Sequence, residues 1–66
     1  YDRAIELLNY LVSRYPNSAM YYYALGNTFY QKGDKQSAVE SLKESLRLDS
    51  KFVRSEEFLT KINESE

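Results

Sequence analysis

The fold is decided by residues 19–52, which read AMYYYALGNTFYQKGDKQSAVESLKESLRLDSKF. Two proline-free runs in this stretch are separated by Gly33 and Asp34. Glycine accepts the left-handed conformation at which helices end, and aspartate caps the helix that follows. The stretch therefore predicts two helices, over residues 19–32 and 35–48, that lie antiparallel across a tight turn.

The same helical period continues upstream of this pair. Apolar residues recur at three- and four-residue spacing from Ala4 to Tyr15, which predicts an amphipathic helix over residues 2–14. Pro16 ends this helix, because the residue before a proline is biased away from helical geometry. Ser18 then provides a good N-cap for the next helix.

A fourth helix is predicted downstream, over residues 52–63. Asp49 and Ser50 interrupt the third helix, and either of them can cap the fourth. The polar residues 63–66 are expected to fray and to form a true C-terminus. The apolar stripe of this helix consists of Phe52, Phe58, Leu59 and Ile62.

The size and the composition exclude several kinds of protein. A chain of 66 residues forms one small domain, and such a domain buries only about 60% of the surface of its unfolded chain. Cysteine and histidine are both absent, which excludes disulfides, ordinary zinc sites and the Ser–His or Cys–His pairs of nucleophilic catalysis. The sequence therefore predicts no catalysis and no cofactor.

The charge pattern gives no reason to expect nucleic acid or a membrane as partner. Nine Lys and Arg residues nearly balance ten Asp and Glu residues, and the two signs alternate along the chain. No apolar run approaches the roughly 18 residues of a membrane span, and no signal peptide is visible.

The chain starts at Tyr1 rather than Met, which indicates a piece of a longer protein. The compartment stays open, since both cytoplasm and periplasm fit.

Seven residues of the central stretch follow a pattern of large, small and turn-forming side chains. They are Tyr22, Leu25, Gly26, Phe29, Gly33, Ala38 and Leu42. The pattern closely resembles the tetratricopeptide repeat (TPR), a helix–turn–helix unit of 34 residues. The resemblance implies that Gly26 and Ala38 lie where the two helices cross most closely. A helix-interior glycine costs about 1 kcal/mol relative to alanine, which indicates a steric demand at that crossing.

The resemblance also implies a division of the chain. Residues 1–66 would form a single all-α, TPR-like α-solenoid of antiparallel helices, at the C-terminal end of an array. Residues 1–16 would be the second helix of a preceding repeat, residues 19–52 one full repeat, and residues 53–66 a capping helix. A shift of 34 residues places Ala4 on Ala38 and Leu8 on Leu42. Ser45 departs from the family pattern, because alanine is usual there.

The function implied by the resemblance is protein–protein interaction through the concave surface of the array. The groove-facing positions by analogy are Met20, Tyr23, Asn27, Tyr30 and Gln31 in the second helix, with Arg54, Glu57 and Lys61 in the fourth. Tyrosine suits such a site because it offers a large contact area and a polar tip. The competing interpretation is that these are ordinary surface residues. A carboxylate clamp built on Asn27 and Arg54 is a further alternative, although the lysines that should accompany it are missing.

Two other hypotheses concern the parent protein and the first helix. The chain also resembles the short TPR tails found in larger multidomain proteins such as bacterial hydrolases. In that case it would be an accessory or dimerisation module of the larger protein. The first helix lacks a partner helix of its own, so part of its apolar face is expected to be uncovered and to self-associate. That apolar face consists of Ile5, Leu8, Leu11 and Val12.

Overall fold

A computed structural model describes residues 1–64, and they form four helices with no strand among them. The helices are α1 (Asp2–Arg14), α2 (Ala19–Lys32), α3 (Lys35–Leu48) and α4 (Val53–Glu64). The all-α prediction is confirmed, and the first three helices have the predicted bounds. Residues 65 and 66 of the predicted frayed tail lie outside the described residues, whereas residues 63 and 64 continue α4.

The turn between α2 and α3 has the predicted chemistry. Gly33 adopts a positive φ of 97°, the left-handed conformation that ends α2. The Asp34 carboxylate accepts a hydrogen bond of 3.1 Å from the Ser37 amide and caps α3. This hydrogen bond holds the pKa of Asp34 below its ordinary value. Ser18 caps α2 in the same way, through the Tyr21 amide.

The turn before α4 differs from the prediction by one residue. The Asp49 carboxylate accepts a hydrogen bond from the Lys51 amide at 3.1 Å, and the Phe52 amide donates to the Asp49 carbonyl at 3.0 Å. The Phe52 carbonyl then accepts from the Ser55 amide, so Phe52 stands just before the helix. Asp49 therefore organises the turn instead of capping α4, which begins at Val53.

The core lies where α3 meets α2 and α4. Ala38 and Leu42 of α3 are fully buried, and Ile62 of α4 is 1% exposed. Six partly buried apolar or aromatic side chains surround this cluster: Tyr23, Phe29, Tyr30, Val39, Phe58 and Leu59. α1 packs against α2 and has no buried residue. The predicted apolar face of α1 is only half-buried.

The crossing of α2 and α3 is tightest at Gly26. A Cβ atom added there would lie 2.7 Å from Cγ of Leu42 and 3.1 Å from the carbonyl oxygen of Ala38. Leu25 is buried beside it, while Tyr22 and Phe29 are half-buried. The structure thus supplies the steric reason for a glycine inside this helix.

A buried pair of serines joins three helices and was not predicted. The Ser45 hydroxyl donates to the carbonyl oxygen of Ala19 in α2 at 2.9 Å. The Ser55 hydroxyl of α4 donates to the Ser45 hydroxyl at 2.8 Å. Both side chains are fully buried, and each is hydrogen-bonded, as buried polar groups must be. The serine at position 45, where the family pattern has alanine, therefore ties α3 to both of its neighbours.

Candidate functional site

A groove of about 390 Å³ runs between α2 and α4. α4 contributes side chains at positions i, i+3, i+4 and i+7, which share one face of a helix. α2 contributes two tyrosines seven residues apart, which also share a face. The lining consists of Tyr23, Tyr30, Arg54, Glu57, Phe58 and Lys61.

Aromatic rings form the floor of the groove. The ring centroids of Tyr30 and Phe58 lie 5.3 Å apart with an interplanar angle of 84°, and those of Tyr23 and Phe58 lie 6.1 Å apart at 76°. Tyr23 also meets the ring of Phe52 edge-on at 5.7 Å. Edge-to-face pairs of this kind are favourable. The floor consists of the rings of Tyr23, Tyr30 and Phe58. All three pack on the core, so the core fixes their positions.

Charged side chains of α4 form the rim of the groove. Arg54, Glu57 and Lys61 are all exposed. The ion pairs within residues 1–64 join Lys32 to Asp2 and Arg47 to Glu44, so none involves the rim. Both rim cations therefore remain available to a ligand. Their seven-residue separation corresponds to about 10 Å along a helix axis.

The structure brings together five of the eight groove residues that the sequence analysis selected. Tyr23, Tyr30, Arg54 and Lys61 meet in this groove, and Glu57 lines it as well. The two tyrosines have a double role, since they are half-buried against the core and also face the groove.

The other three selected residues lie on α2 outside the lining. Asn27 accepts a hydrogen bond of 3.4 Å from the Gln31 side chain, within one turn of the helix. Met20 is 59% exposed. Asn27 and Arg54, the two residues of the clamp alternative, are therefore not joined in one groove.

Phe58 is the groove residue that sequence reasoning missed. The apolar stripe of the fourth helix accounted for it as a core residue, and it does pack on the core. Its position four residues after Arg54 nevertheless places it on the same helix face as the selected charges. The four-residue spacing from Arg54 could therefore have identified Phe58 as a groove residue.

Two other grooves in the described part of the chain differ in chemistry. They have volumes of about 350 and 540 Å³, and no aromatic side chain lines either of them. Among residues 1–64, no group of acidic side chains is placed to hold a metal ion. None of the helices in this range has the length and apolar character needed to cross a bilayer. The aromatic groove is therefore the best-formed candidate site.

Comparison with known families agrees with the helix arrangement. A tetratricopeptide repeat model matches residues 19–52, and a second tetratricopeptide repeat model matches residues 1–18. The chain belongs to the tetratricopeptide repeat family. The TPR match over 19–52 contains α2 and α3, so the groove lies between the first helix of that repeat and the helix that follows it.

No curated protein and no solved structure is significantly similar to the chain. TPR units generally mediate protein–protein interactions, and each unit supplies shape and surface rather than catalytic groups.

A second surface of this TPR chain is the outward side of α1. Leu7 and Tyr10 are each 59% exposed, and Tyr15 is 51% exposed. Tyr15 contacts Tyr21 of α2, with ring centroids 6.0 Å apart. Large exposed apolar side chains that cluster on one helix are typical of interaction surfaces.

Proposed function

We propose that this chain is a protein-interaction module that binds a peptide segment of a partner protein in the groove between α2 and α4. One observation carries the proposal: a floor of core-anchored aromatic rings is bordered by charged side chains that have no ion-pair partner within residues 1–64. This combination is typical of the parts of interfaces that contribute most to affinity.

The aromatic floor suits a peptide side chain. A groove of about 390 Å³ is at the small end of the range of ligand sites, and it is open to solvent. Because the rings already pack against Ala38, Leu42 and Ile62, a ligand does not have to order them. Less conformational entropy is lost when the surface is already ordered, which favours binding.

The proposal assigns no catalysis and no cofactor to this chain. The groove contains cations, one carboxylate and phenol groups, and it has no nucleophile paired with a base. The sequence contains no histidine or cysteine that could provide one.

A mapping experiment tests the proposal. Peptides selected from a random display library on the immobilised 66-residue chain would be titrated into the isotope-labelled protein, with backbone amide shifts followed by NMR. We expect the largest shifts at residues 23, 30 and 54–61. Shifts confined to α1, or a library that yields no specific binder, would contradict the proposal.

The exposure of Leu7 and Tyr10 favours a second candidate function, an accessory or dimerisation module of a larger protein that associates through α1. Sedimentation equilibrium of the wild type and of a Leu7→Lys, Tyr10→Lys double variant tests this candidate. It predicts a wild-type dimer that the double variant converts to a monomer. A wild type that stays monomeric at high concentration would exclude self-association through this face.

A further inference from the structure

We infer that the ligand of the aromatic groove is an acidic peptide segment, with two carboxylates three residues apart and an apolar side chain between them. This inference rests on the proposed function and deepens it by naming the chemistry of the partner. It is carried by the charge, the spacing and the floor of the groove.

The charge of the groove is opposite to that of the chain. Arg54 and Lys61 give the lining two positive charges and Glu57 gives it one negative charge, a net of +1, whereas the whole chain has a net charge of −1. The groove on the other side of α4 contains Glu56, Glu57 and Glu64 against Lys61, a net of −2. Glu57 and Lys61 line both grooves, so the difference comes from Arg54 on the aromatic side and from Glu56 and Glu64 on the other side. Of these two grooves, the aromatic one favours an acidic ligand.

Within residues 1–64 neither cation is in an ion pair, so both can bind carboxylates. Glu57 lies three residues after Arg54 and four before Lys61, spacings at which helical ion pairs form, yet neither pair is made. In the other half of the structure, Arg47 does pair with Glu44 at the same three-residue spacing. A ligand carboxylate can thus reach either rim cation without breaking an existing ion pair.

The spacing of the cations fits a ligand in the polyproline II conformation. Their separation along α4 is about 10 Å. A polyproline II segment repeats every three residues with a rise of about 3.1 Å, so its side chains n and n+3 point to one side about 9 Å apart. Same-side positions of a β-strand fall at about 7 or 13 Å, which matches less well. An acidic residue, two spacer residues and a second acidic residue therefore fit the rim.

The floor defines the residue between the two acids. The rings of Tyr23, Tyr30 and Phe58 line the same groove as the cations and offer an apolar surface anchored in the core. Leucine followed by proline meets both needs, because leucine covers the rings and proline favours the polyproline II conformation. Nucleic acid fits poorly, since two cations with a carboxylate between them do not form a basic track.

The test uses three capped peptides. The acidic probe is Gly-Ser-Glu-Leu-Pro-Glu-Gly-Ser with blocked ends, so that no terminal carboxylate contributes. The neutral probe replaces both glutamates by glutamine, and the shifted probe places the two glutamates two residues apart. Each peptide is titrated into the labelled 66-residue chain at low and at high salt, and its dissociation constant is measured by NMR.

We expect the acidic probe to bind at the groove residues and more tightly than the neutral probe. Each lost contact with an exposed cation should weaken binding about two- to fivefold. Arg54→Gln and Lys61→Gln should each weaken the acidic probe by that factor, whereas Glu57→Gln should tighten it about twofold because a repulsive carboxylate is removed. Salt should reduce the advantage of the acidic probe, since the rim is exposed.

Lys43→Gln is the matched control, because it removes an exposed lysine from α3, outside the lining of the aromatic groove. Its affinity for the acidic probe should equal that of the wild type. Equal binding of the acidic and neutral probes in the groove would overturn the inference and leave the proposed function standing. Absence of acidic-probe binding, or equal losses in Lys43→Gln and Lys61→Gln, would also overturn it, while the library selection decides the proposed function separately.

Discussion

α1 and α3 have related sequences and different surroundings. Ala4 and Leu8 of α1 correspond to Ala38 and Leu42 of α3 after a shift of 34 residues. Ala38 and Leu42 are fully buried, whereas Ala4 is exposed and Leu8 is half-buried. The same residue types are therefore fully buried in one helix, and exposed or half-buried in the other.

The difference in burial comes from α2, the helix that crosses α3 at Ala38 and Leu42. α2 carries Gly26, whose missing side chain lets α2 approach Ala38 and Leu42 closely. Ala4 has no such cover, since α1 packs mainly against α2 and Ala4 is exposed. Burial thus depends on a partner with a small residue at the crossing and not on the apolar residues alone.

The largest expected effect separates the two equivalent leucines. Leu42→Ala should lower the free energy of unfolding by about 3 kcal/mol or more, because it empties a fully buried site. Leu8→Ala should lower it by only about 1 kcal/mol, because Leu8 is half-buried. Urea unfolding followed by circular dichroism measures both. Equal losses in the two variants would show that α1 is as well covered as α3.

A second variant tests the role of the crossing itself. Gly26→Ala should lower stability by about 1–2 kcal/mol, because overpacking against Leu42 and the Ala38 carbonyl outweighs the gain of about 1 kcal/mol in helix propensity. Gln31→Ala on the exposed side of α2 is the control and should change stability by less than about 0.5 kcal/mol. A more stable Gly26→Ala variant would mean that Leu42 can move aside.

The buried serines provide a test of how α4 is held. Ser45→Ala should cost about 1–3 kcal/mol, because it leaves the Ser55 hydroxyl without an acceptor, and Ser55→Ala should cost about 1 kcal/mol. The double variant should lose less than the sum of the two single variants, because neither hydroxyl is then left unpaired. Thermal unfolding of all four proteins gives the coupling free energy. Strict additivity would show that the two hydroxyls do not interact.

The smallest expected effect concerns the ion pair between α1 and α2. Lys32 Nζ lies 2.9 Å from a carboxylate oxygen of Asp2, and its hydrogen bond and charge hold the pKa of Asp2 below the ordinary value of 3.8. A lowered folded pKa means that the stabilisation is present above pH 3.8 and is lost as the pH falls through the folded value.

Stability against pH, measured for the wild type and for Lys32→Gln, checks this ion pair. The two curves should differ slightly near neutral pH and meet at low pH. The difference should also vanish at high salt, because both side chains are largely exposed. A difference that persists at low pH would show that Lys32 acts through packing and not through Asp2.

Local sequence determined the helices because their signals are local. Gly33, Asp34 and Ser18 set the ends of α2 and α3 through backbone geometry and capping, which neighbouring residues control. The start of α4 was missed by one residue because the Asp49 carboxylate accepts from the Lys51 amide within the turn and does not cap the helix. The resemblance to the tetratricopeptide repeat selected Tyr23, Tyr30, Arg54 and Lys61 as groove-facing, and all four line the groove.

The tertiary structure alone decided what those faces do. The three-ring floor around Phe58 depends on how closely α4 approaches α2, and the pairing of Ser45 with Ser55 depends on the rotation of α4 against α3. A residue pattern predicts neither the approach of α4 to α2 nor the rotation of α4 against α3, because both arise from contacts between residues distant in the chain. Sequence by itself therefore determined the helices and their apolar faces, and only packing decided that Leu42 is core, that Leu8 is only half-buried, and that the cations of α4 border an aromatic groove.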